Sequence, residues 1–595
     1  MSVILLLFIL IIPAFAEELD AIEVKADKEL SDFNLGSSDS LNEQDLQRNH
    51  STLISDSISS LNGVTPSQNG GPGGRVTYFI RGTEARHVSF TIDSLRINDT
   101  SNTDRQFDSA FLSSAFLKDL TLYKGPQAVL FGSDAMGGLI DMETRKGENA
   151  PETRLSINGG SFGTFDSSLS HDWKTQKNQG TLTWSSMRTD GLSRLNKKRF
   201  NATERDGADM TQLTSSSQHR WADSWQTDFL FSFLRGNNEL DGFTTDSANE
   251  ESRNDQYMVQ QKTGYDIDAH SAVSLRTGLS RHQRLIKTES VGKELYDGDL
   301  IQSEFLHNYE RGSFHLLSGF ASEQETFENR NLDKVANLHS LFLQSGFQKN
   351  GFKTQLGVRI ENHSRYGNFQ TGAAGIGYTK GSETLSLQYS QGFKAPSLYQ
   401  LYGPDIFGFP VGNEDLVPER NYAYELRWLH DSDNLKTEIS LFQNRLANLI
   451  TYSNQGYLNQ GKFTAQGVEA RVDWIFDNLR FRPSLMHQDF KDEEAKILRR
   501  PLNQYGLEVA YFPKESLEVF TKIKFFDSRI DIDENGNHVK LNEFETLDLG
   551  MRLTSGRDIY GVQLLNLLNR DYEELYGYSV MPRSVFFHYG RVFKD

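Results

Sequence analysis

The chain has 595 residues, no cysteine, 11% aromatic residues, and 62 Lys and Arg against 80 Asp and Glu, a net charge of −18. Its length calls for two or more folding units, and the missing cysteines exclude disulfides, thiolate metal sites and cysteine nucleophiles. The acidic balance argues against a nucleic-acid partner and suits divalent cations near a membrane surface.

The first sixteen residues stand apart. An unbroken apolar run from Val3 to Ile12 is followed by Ala14, Phe15 and Ala16, the small-residue pattern of a signal-peptidase site, so residues 1–16 read as a signal peptide. No Lys or Arg precedes the run, a departure that leaves the true start codon open. Beyond Ala16 no apolar stretch reaches eighteen residues, which excludes a membrane-spanning helix. An exported chain is then either soluble or a barrel whose apolar residues alternate with polar ones. The mean hydropathy of −0.55 is no objection to a barrel, because half of each strand faces a polar lumen.

Residues 17–40 are polar and aperiodic, as expected of a leader segment. Within them Ala21, Ile22, Glu23, Val24, Lys25 and Ala26 alternate and can pair as a strand. Residues 41–147 read as a compact α+β domain. Leu53, Ile54, Ile58 and Leu61 suggest a helix ended by Asn62 and Gly63, the glycine serving as left-handed cap. A Gly-rich loop at 69–74 leads to a strand at 76–80. Strands at 88–92 and 95–97 flank a hairpin turn at Asp93 and Ser94, and another at 120–123 ends at Lys124-Gly125-Pro126.

From 148 to 595 the pattern is period two. Phe229, Phe231 and Phe233 alternate with polar residues, as do Leu517, Val519, Ile523 and Phe525, and Leu547, Leu549, Met551 and Leu553. One greasy face at that spacing marks strands between two media, and the segment's length allows roughly 22 strands. Long polar loops at 236–255 and 527–544 contrast with a short turn at 554–558, the asymmetry of an outer-membrane barrel. Asp531 to Gly536 copies half of a calcium-binding EF-hand loop, but Asn542 stands where the closing Glu belongs, so an Asn-Gly turn is expected.

Four blocks then carry a resemblance. They are Phe79-Ile80-Arg81-Gly82-Thr83; residues 88–98 (VSFTIDSLRIN); Leu122-Tyr123-Lys124-Gly125-Pro126; and residues 130–140 (LFGSDAMGGLI). With residues 391–403, 412–419, 459–469 and 565–578, they make the chain resemble the TonB-dependent receptors of Gram-negative outer membranes along nearly its whole length. The resemblance implies an all-β fold, a 22-stranded antiparallel transmembrane β-barrel at 148–595 with an N-terminal α+β plug domain at 41–147 inside its lumen. It also implies a transporter rather than an enzyme, and no H-E-x-x-H or Walker pattern is present.

The family's TonB box matches residues 21–26, where the TonB–ExbB–ExbD complex would grip by β-augmentation. Arg81 and Lys124 match plug cations paired with barrel glutamates at Glu425 and Glu469; Arg is usual at the position of Lys124, so that pair would lose bidentate geometry. Gly132, Gly137 and Gly138 are expected to let the plug backbone lie against the wall. The plug blocks most resemble the vitamin B12 (cobalamin) transporters, making a corrinoid the favoured substrate and a ferric siderophore the alternative. A passive porin or surface adhesin ranks lower, since neither needs a coupled gate. Ser67, Gln68, Asn69, Arg75, Asn98, Asp99 and Arg105 would then lie on ligand-facing plug loops. No cofactor is required. Calcium that orders extracellular loops in the cobalamin subgroup would sit at Glu204, Asp206, Asp241 and Asp246. His87 is expected to be packed rather than metal-bound. Further partners implied are outer-membrane lipid and lipopolysaccharide, and the barrel-assembly machinery that reads the last strand, here ending in Lys594 and Asp595 beyond Phe593.

Overall fold

The computed structural model describes residues 35–594 except 49–51, 149–150, 243, 290–291, 406–409 and 493–496. The expected signal peptide and residues 21–26 lie outside the described residues.

Among the described residues, twenty-two antiparallel strands from Glu152–Gly160 to Ser584–Lys594 form one closed sheet. The last strand returns to the first, with Tyr589 opposite Ile157. Closure removes both sheet edges, so no row of backbone donors is left to face lipid. The period-two pattern is inverted relative to a protein in water. On Leu332–Lys349, Leu341 is 63% exposed while its neighbours Ser340 and Phe342 are buried. Phe229, Phe231, Val519, Ile523, Leu549, Met551 and Leu553 also face outward. Apolar residues outside and buried Ser, Gln and Arg within place hydrocarbon at the outer face and water at the inner one. Among the described residues, no helix is long and apolar enough to cross a membrane.

Connections at one end are short, such as 223–224, 312–313, 433–434 and 556–557. Those at the other end include 193–205, 241–249, 395–418, 448–461, 527–543 and 566–583. The expected loop at 236–255 is shorter than its polarity suggested, because Trp225–Leu240 and Glu250–Asp266 carry their pairing past the apolar belt. Residues 527–543 hold a hairpin, Arg529–Ile532 against His538–Leu541, turned at Gly536. Asp533 caps that turn by accepting from the backbone NH of Asn535 and Asn537.

The N-terminal domain fills the lumen. It hydrogen-bonds or ion-pairs to Gln212, Gln302, Glu425, Glu469, Gln504 and Lys524, which lie around the whole inner circumference. Its five-stranded sheet runs Ser38–Asn42, Leu117–Lys124, Gly138–Thr144, Val88–Ile92, Leu95–Arg96. The first strand begins at Ser38, so the folded domain includes residues assigned above to the leader. Asp93 and Ser94 both have positive φ, 48° and 67°, the primed turn that a tight hairpin requires. A separate hairpin pairs Val64–Gln68 with Val76–Ile80. The helix is short, Ile54–Ile58, and a further turn leads to Gly63 at φ +75°. Ile54, Ile58, Ile80, Phe90, Leu120 and Ile140 share one apolar core with Met187, Met210, Leu230, Leu234 and Met258 of the wall.

Candidate functional site

Arg81 sits directly after the strand Val76–Ile80, and its side chain reaches the wall. Its Nη2 lies 2.9 Å from Glu425 Oε1 and 3.0 Å from Glu469 Oε2, with the Phe442 ring under the guanidinium. Lys124, at the end of Leu117–Lys124, places Nζ 2.9 Å from the same Glu469 oxygen. All four side chains are buried. Two cations against two carboxylates leave no net charge in this buried cluster, the condition under which burial of ions is tolerable. Gly63 makes room for the pair: a Cβ there would lie 2.3 Å from Glu469 Oε1. Of the three glycines expected at the wall, Gly132 lies there, beside Arg359 and Glu361. Gly137 and Gly138 instead pack within the domain, on Thr83 and Ile80.

The end of the leader meets the same cluster. The Ser37 hydroxyl donates to Glu425 Oε1, its amide donates to Oε2 at 3.3 Å, and its carbonyl accepts from the amide of Lys124 at 3.1 Å. Sequence reading missed this residue, since a lone serine in a polar stretch carries no pattern.

Two more charge clusters join domain and wall. Asp134 accepts from Arg105 at 2.9 Å and Lys394 at 2.8 Å, with Arg96 at 3.4 Å, and Arg105 also pairs with Glu325 at 2.9 Å. Arg86 and His87 both meet Glu419, at 2.7 and 3.2 Å. The amide of Glu84 donates to His87 Nδ1, so the ring proton is on Nε2 and points at Glu419. Both ring nitrogens are thereby used, as the packed reading expected, and burial pushes the imidazole pKa down. Burial alone would raise the Glu84 carboxyl, but Arg500 at 2.7 Å, with Arg86, brings it to about 2.

The residues expected on ligand-facing loops divide into two groups. Gln68, Asn69 and Arg75 are half-buried around the 69–74 turn. The Gln68 amide donates to Glu574, the Asn69 carbonyl accepts from Arg194, and Arg75 donates to Gln106. Ser67, Asn98, Asp99 and Arg105 are buried. Asn98 braces its own loop by accepting from the Phe90 amide and donating to the Arg105 carbonyl; Asp99 accepts from Ser101. Asn98 and Asp99 thus brace this loop from within.

The long-loop end shows a different surface, one that sequence reading did not find. Arg284 lies over the Tyr296 ring at 5.3 Å and Lys334 over Tyr402 at 4.7 Å. Arg365 lies near both Tyr366 and Tyr402, at 6.0 and 5.4 Å, and donates to the Tyr402 hydroxyl at 2.7 Å. These residues come from five separate chain segments, so no local motif announces them. Cations stacked on tyrosine rings offer donors and flat apolar faces together.

Glu204, Asp206 and Asp241 offer carboxylate oxygens all within 4.8 Å of one another. Asp246 stands apart from this triad and accepts from the amides of Thr203 and Glu204, at 2.7 and 3.3 Å. Glu204 Oε1, Asp206 Oδ1 and Asp246 Oδ1 are buried without a hydrogen-bond partner among the described residues. Burial, then the charge of Asp246, raises the carboxyl pKa of both Glu204 and Asp241. Oxygen-only ligands with orphaned lone pairs and mutual repulsion fit a hard divalent cation.

Residues 147–569 match the family described as TonB dependent receptor-like, beta-barrel, and residues 33–139 match the TonB-dependent Receptor Plug Domain. Among solved structures, the chain is similar to the siderophore receptor PirA of Acinetobacter baumannii, with a TM-score of 0.80, 15% identity, and coverage of 96% of this chain and 100% of that one. A mutant ferric enterobactin receptor, PfeA, of Pseudomonas aeruginosa gives 0.80, 15%, 96% and 100%. The ferripyoverdine receptor of the same organism gives 0.78, 13%, 94% and 86%. With its plug seated in a closed 22-stranded barrel and both family matches in order, the chain belongs to the TonB-dependent receptors of the Gram-negative outer membrane.

Proposed function

We propose that this transporter imports a ferric siderophore, driven by the TonB–ExbB–ExbD complex acting on residues 21–26. The observation that carries the substrate reading is the cation–tyrosine surface of Arg284, Lys334 and Arg365 with Tyr296, Tyr366 and Tyr402. Iron chelates built from catecholate, hydroxamate or carboxylate arms present anionic oxygens on planar groups. Guanidinium forks and phenol faces match both features. That the similar solved structures are siderophore and ferric-chelate receptors supports the same choice.

An outer membrane holds neither ATP nor a lasting ion gradient, so uphill import needs work delivered from the periplasmic side. An extended leader adding as a strand to a partner sheet supplies the handle through main-chain hydrogen bonds. The buried pairs Arg81–Glu425 and Lys124–Glu469 serve as the latch that keeps the plug seated until the leader is pulled.

A second reading, corrinoid import, is favoured by one feature, the carboxylate triad. Glu204, Asp206 and Asp241 would hold calcium, which would supply positive charge at the rim and tie loop 193–205 to loop 241–249. Binding of a ferric-siderophore panel and of cyanocobalamin to the purified chain, with calcium and with chelator, decides between them. Saturable ferric-chelate binding without a corrinoid signal supports the proposal. Tight corrinoid binding lost on chelation would replace it with the second reading.

A further inference from the structure

We infer that solute crosses this barrel along one wall, past a neck closed by Gln47 and Arg48 of the plug. Three cavities lie in series between the plug and the sector formed by Leu517–Phe526, Phe544–Ser555, Asp558–Leu565, Ser584–Lys594 and Glu152–Gly160. The upper one, 250 Å³, opens beneath loop 566–583 and is lined by Lys524, Phe544, Asp548, Tyr572 and Glu574. The middle one is only 20 Å³. The lower one, 140 Å³, is lined by Glu43, Arg145 and Arg154 near the short-turn end. Gln563 and Phe586 line both the upper and middle cavities, and Gln47 and His588 line both the middle and lower ones, so the three adjoin one another.

The middle cavity holds about one water, so the route is shut to solute at rest. What shuts it is specific. Arg48 pairs with Glu518 at 3.1 Å, its carbonyl accepts from Gln563, and Gln47 accepts from Arg552 at 3.1 Å. These plug residues follow the strand Ser38–Asn42 through the short helix Glu43–Leu46. That strand is an edge strand, paired on one side with Leu117–Lys124. Tension applied from the leader reaches the neck once this one edge strand is peeled from Leu117–Lys124, before the remaining strands of the sheet are loaded.

A competing space exists. A cavity of 520 Å³ lies against Trp225–Leu240 and its neighbours at the short-turn end. It shares no lining residue with the upper cavity. Above it, the Arg96 backbone is bonded to Gln302 at 3.3 and 2.7 Å, and Leu95 packs on Gly278. The cavity adjoins a further space of 20 Å³ through Ser94 and Leu95. That space is closed by the Arg96 pairs with Glu323 and Asp134 and is lined by no residue of the long loops. The series past Gln47 and Arg48 begins beneath such a loop and is the route.

This placement rests on the chain being a gated importer, and it is testable without the cargo or the TonB system. The full chain in planar lipid bilayers is compared with Arg48→Gln/Glu518→Gln and, as a second opening variant, Gln47→Ala/Arg552→Ala, with ion conductance as readout. Because the chain has no cysteine, single cysteines report position: Gln563→Cys on the proposed sector, Ser340→Cys on the far wall. The expected result is a conductance at least tenfold above wild type in either opening variant. Maleimide modification at 563 should block it and modification at 340 should leave it unchanged. In addition, a disulfide between Val129→Cys and Gly357→Cys, whose Cβ atoms would be 3.5 Å apart, should leave the conductance intact. Block from position 340, loss of conductance on the far-wall disulfide, or no rise in either opening variant overturns the route. Deleting residues 20–26 does not enter this assay, so failure of the energy-coupling reading is seen separately.

Discussion

Replacing Glu469 tests whether the buried charge cluster holds the plug in place. Its carboxylate takes three charge-assisted hydrogen bonds, from Arg81 Nη2 at 3.0 Å, Arg81 Nε at 3.3 Å and Lys124 Nζ at 2.9 Å. In Glu469→Ala, Arg81 keeps Glu425 at 2.9 Å and the Phe442 ring. Lys124 loses its nearest carboxylate while remaining buried. Breaking one side of a buried pair costs about 3–5 kcal/mol, or roughly a hundredfold to a few thousandfold in the opening equilibrium. Glu469→Gln, which keeps shape and an acceptor, belongs at the low end. Hydrogen exchange on Leu117–Lys124 and Val76–Ile80 reads the loss directly, with the barrel strand Leu332–Lys349 as unchanged reference. Glu469→Gln/Lys124→Met should recover most of the protection, because neither partner is then left as an unpaired charge. Less than tenfold faster exchange in Glu469→Ala, or no recovery in the double variant, would refute the latch.

Three further outcomes follow from the same geometry. His87 has a folded pKa below its ordinary value of 6.5, so the unfolded plug takes up a proton more readily. Its contribution is therefore full above about pH 6.5 and is lost as pH falls below that, by at most about 1.4 kcal/mol per unit; His87→Gln should flatten that slope in exchange measured from pH 7.5 to 5.5. Asp206→Asn should weaken calcium binding by roughly tenfold or more in titration calorimetry, since it removes one charged oxygen ligand. Equal affinity would remove calcium from the triad. Arg365→Ala should weaken ferric-chelate binding about tenfold, the loss of one stacked, hydrogen-bonding cation, and an unchanged Kd would move the ligand away from Tyr402.

Much of the architecture was legible because its physics is periodic. Alternation of Leu549, Met551 and Leu553 with Gly550, Arg552 and Thr554 is a local signal of a wall between lipid and lumen, and the strand count follows from length. The hairpin at Asp93 and Ser94 was legible for a similar reason, as short polar residues tolerate positive φ. The strand Val64–Gln68 was not, because Pro66 hides it; a proline fits there since the strand pairs on one side alone. Arg81, Lys124, Glu425 and Glu469 were found through resemblance, and the structure brings all four together. Ser37, Asp134 with its three cations, and the Arg365–Tyr402 surface depend on contacts between distant segments. Asn98, Asp99 and Arg105 lie in the expected loop, with their side chains buried. A polar residue in a loop is equally suited to solvent or to a buried brace, and only packing tells which.

The most direct test of energy-coupled import through this plug uses the ferric chelate that binds best. Its uptake is measured in intact cells carrying the full chain or the chain lacking residues 20–26. Surface binding should be equal in both, while accumulation should fall to the level of cells without the protein. Accumulation at the full rate after the deletion would contradict the account.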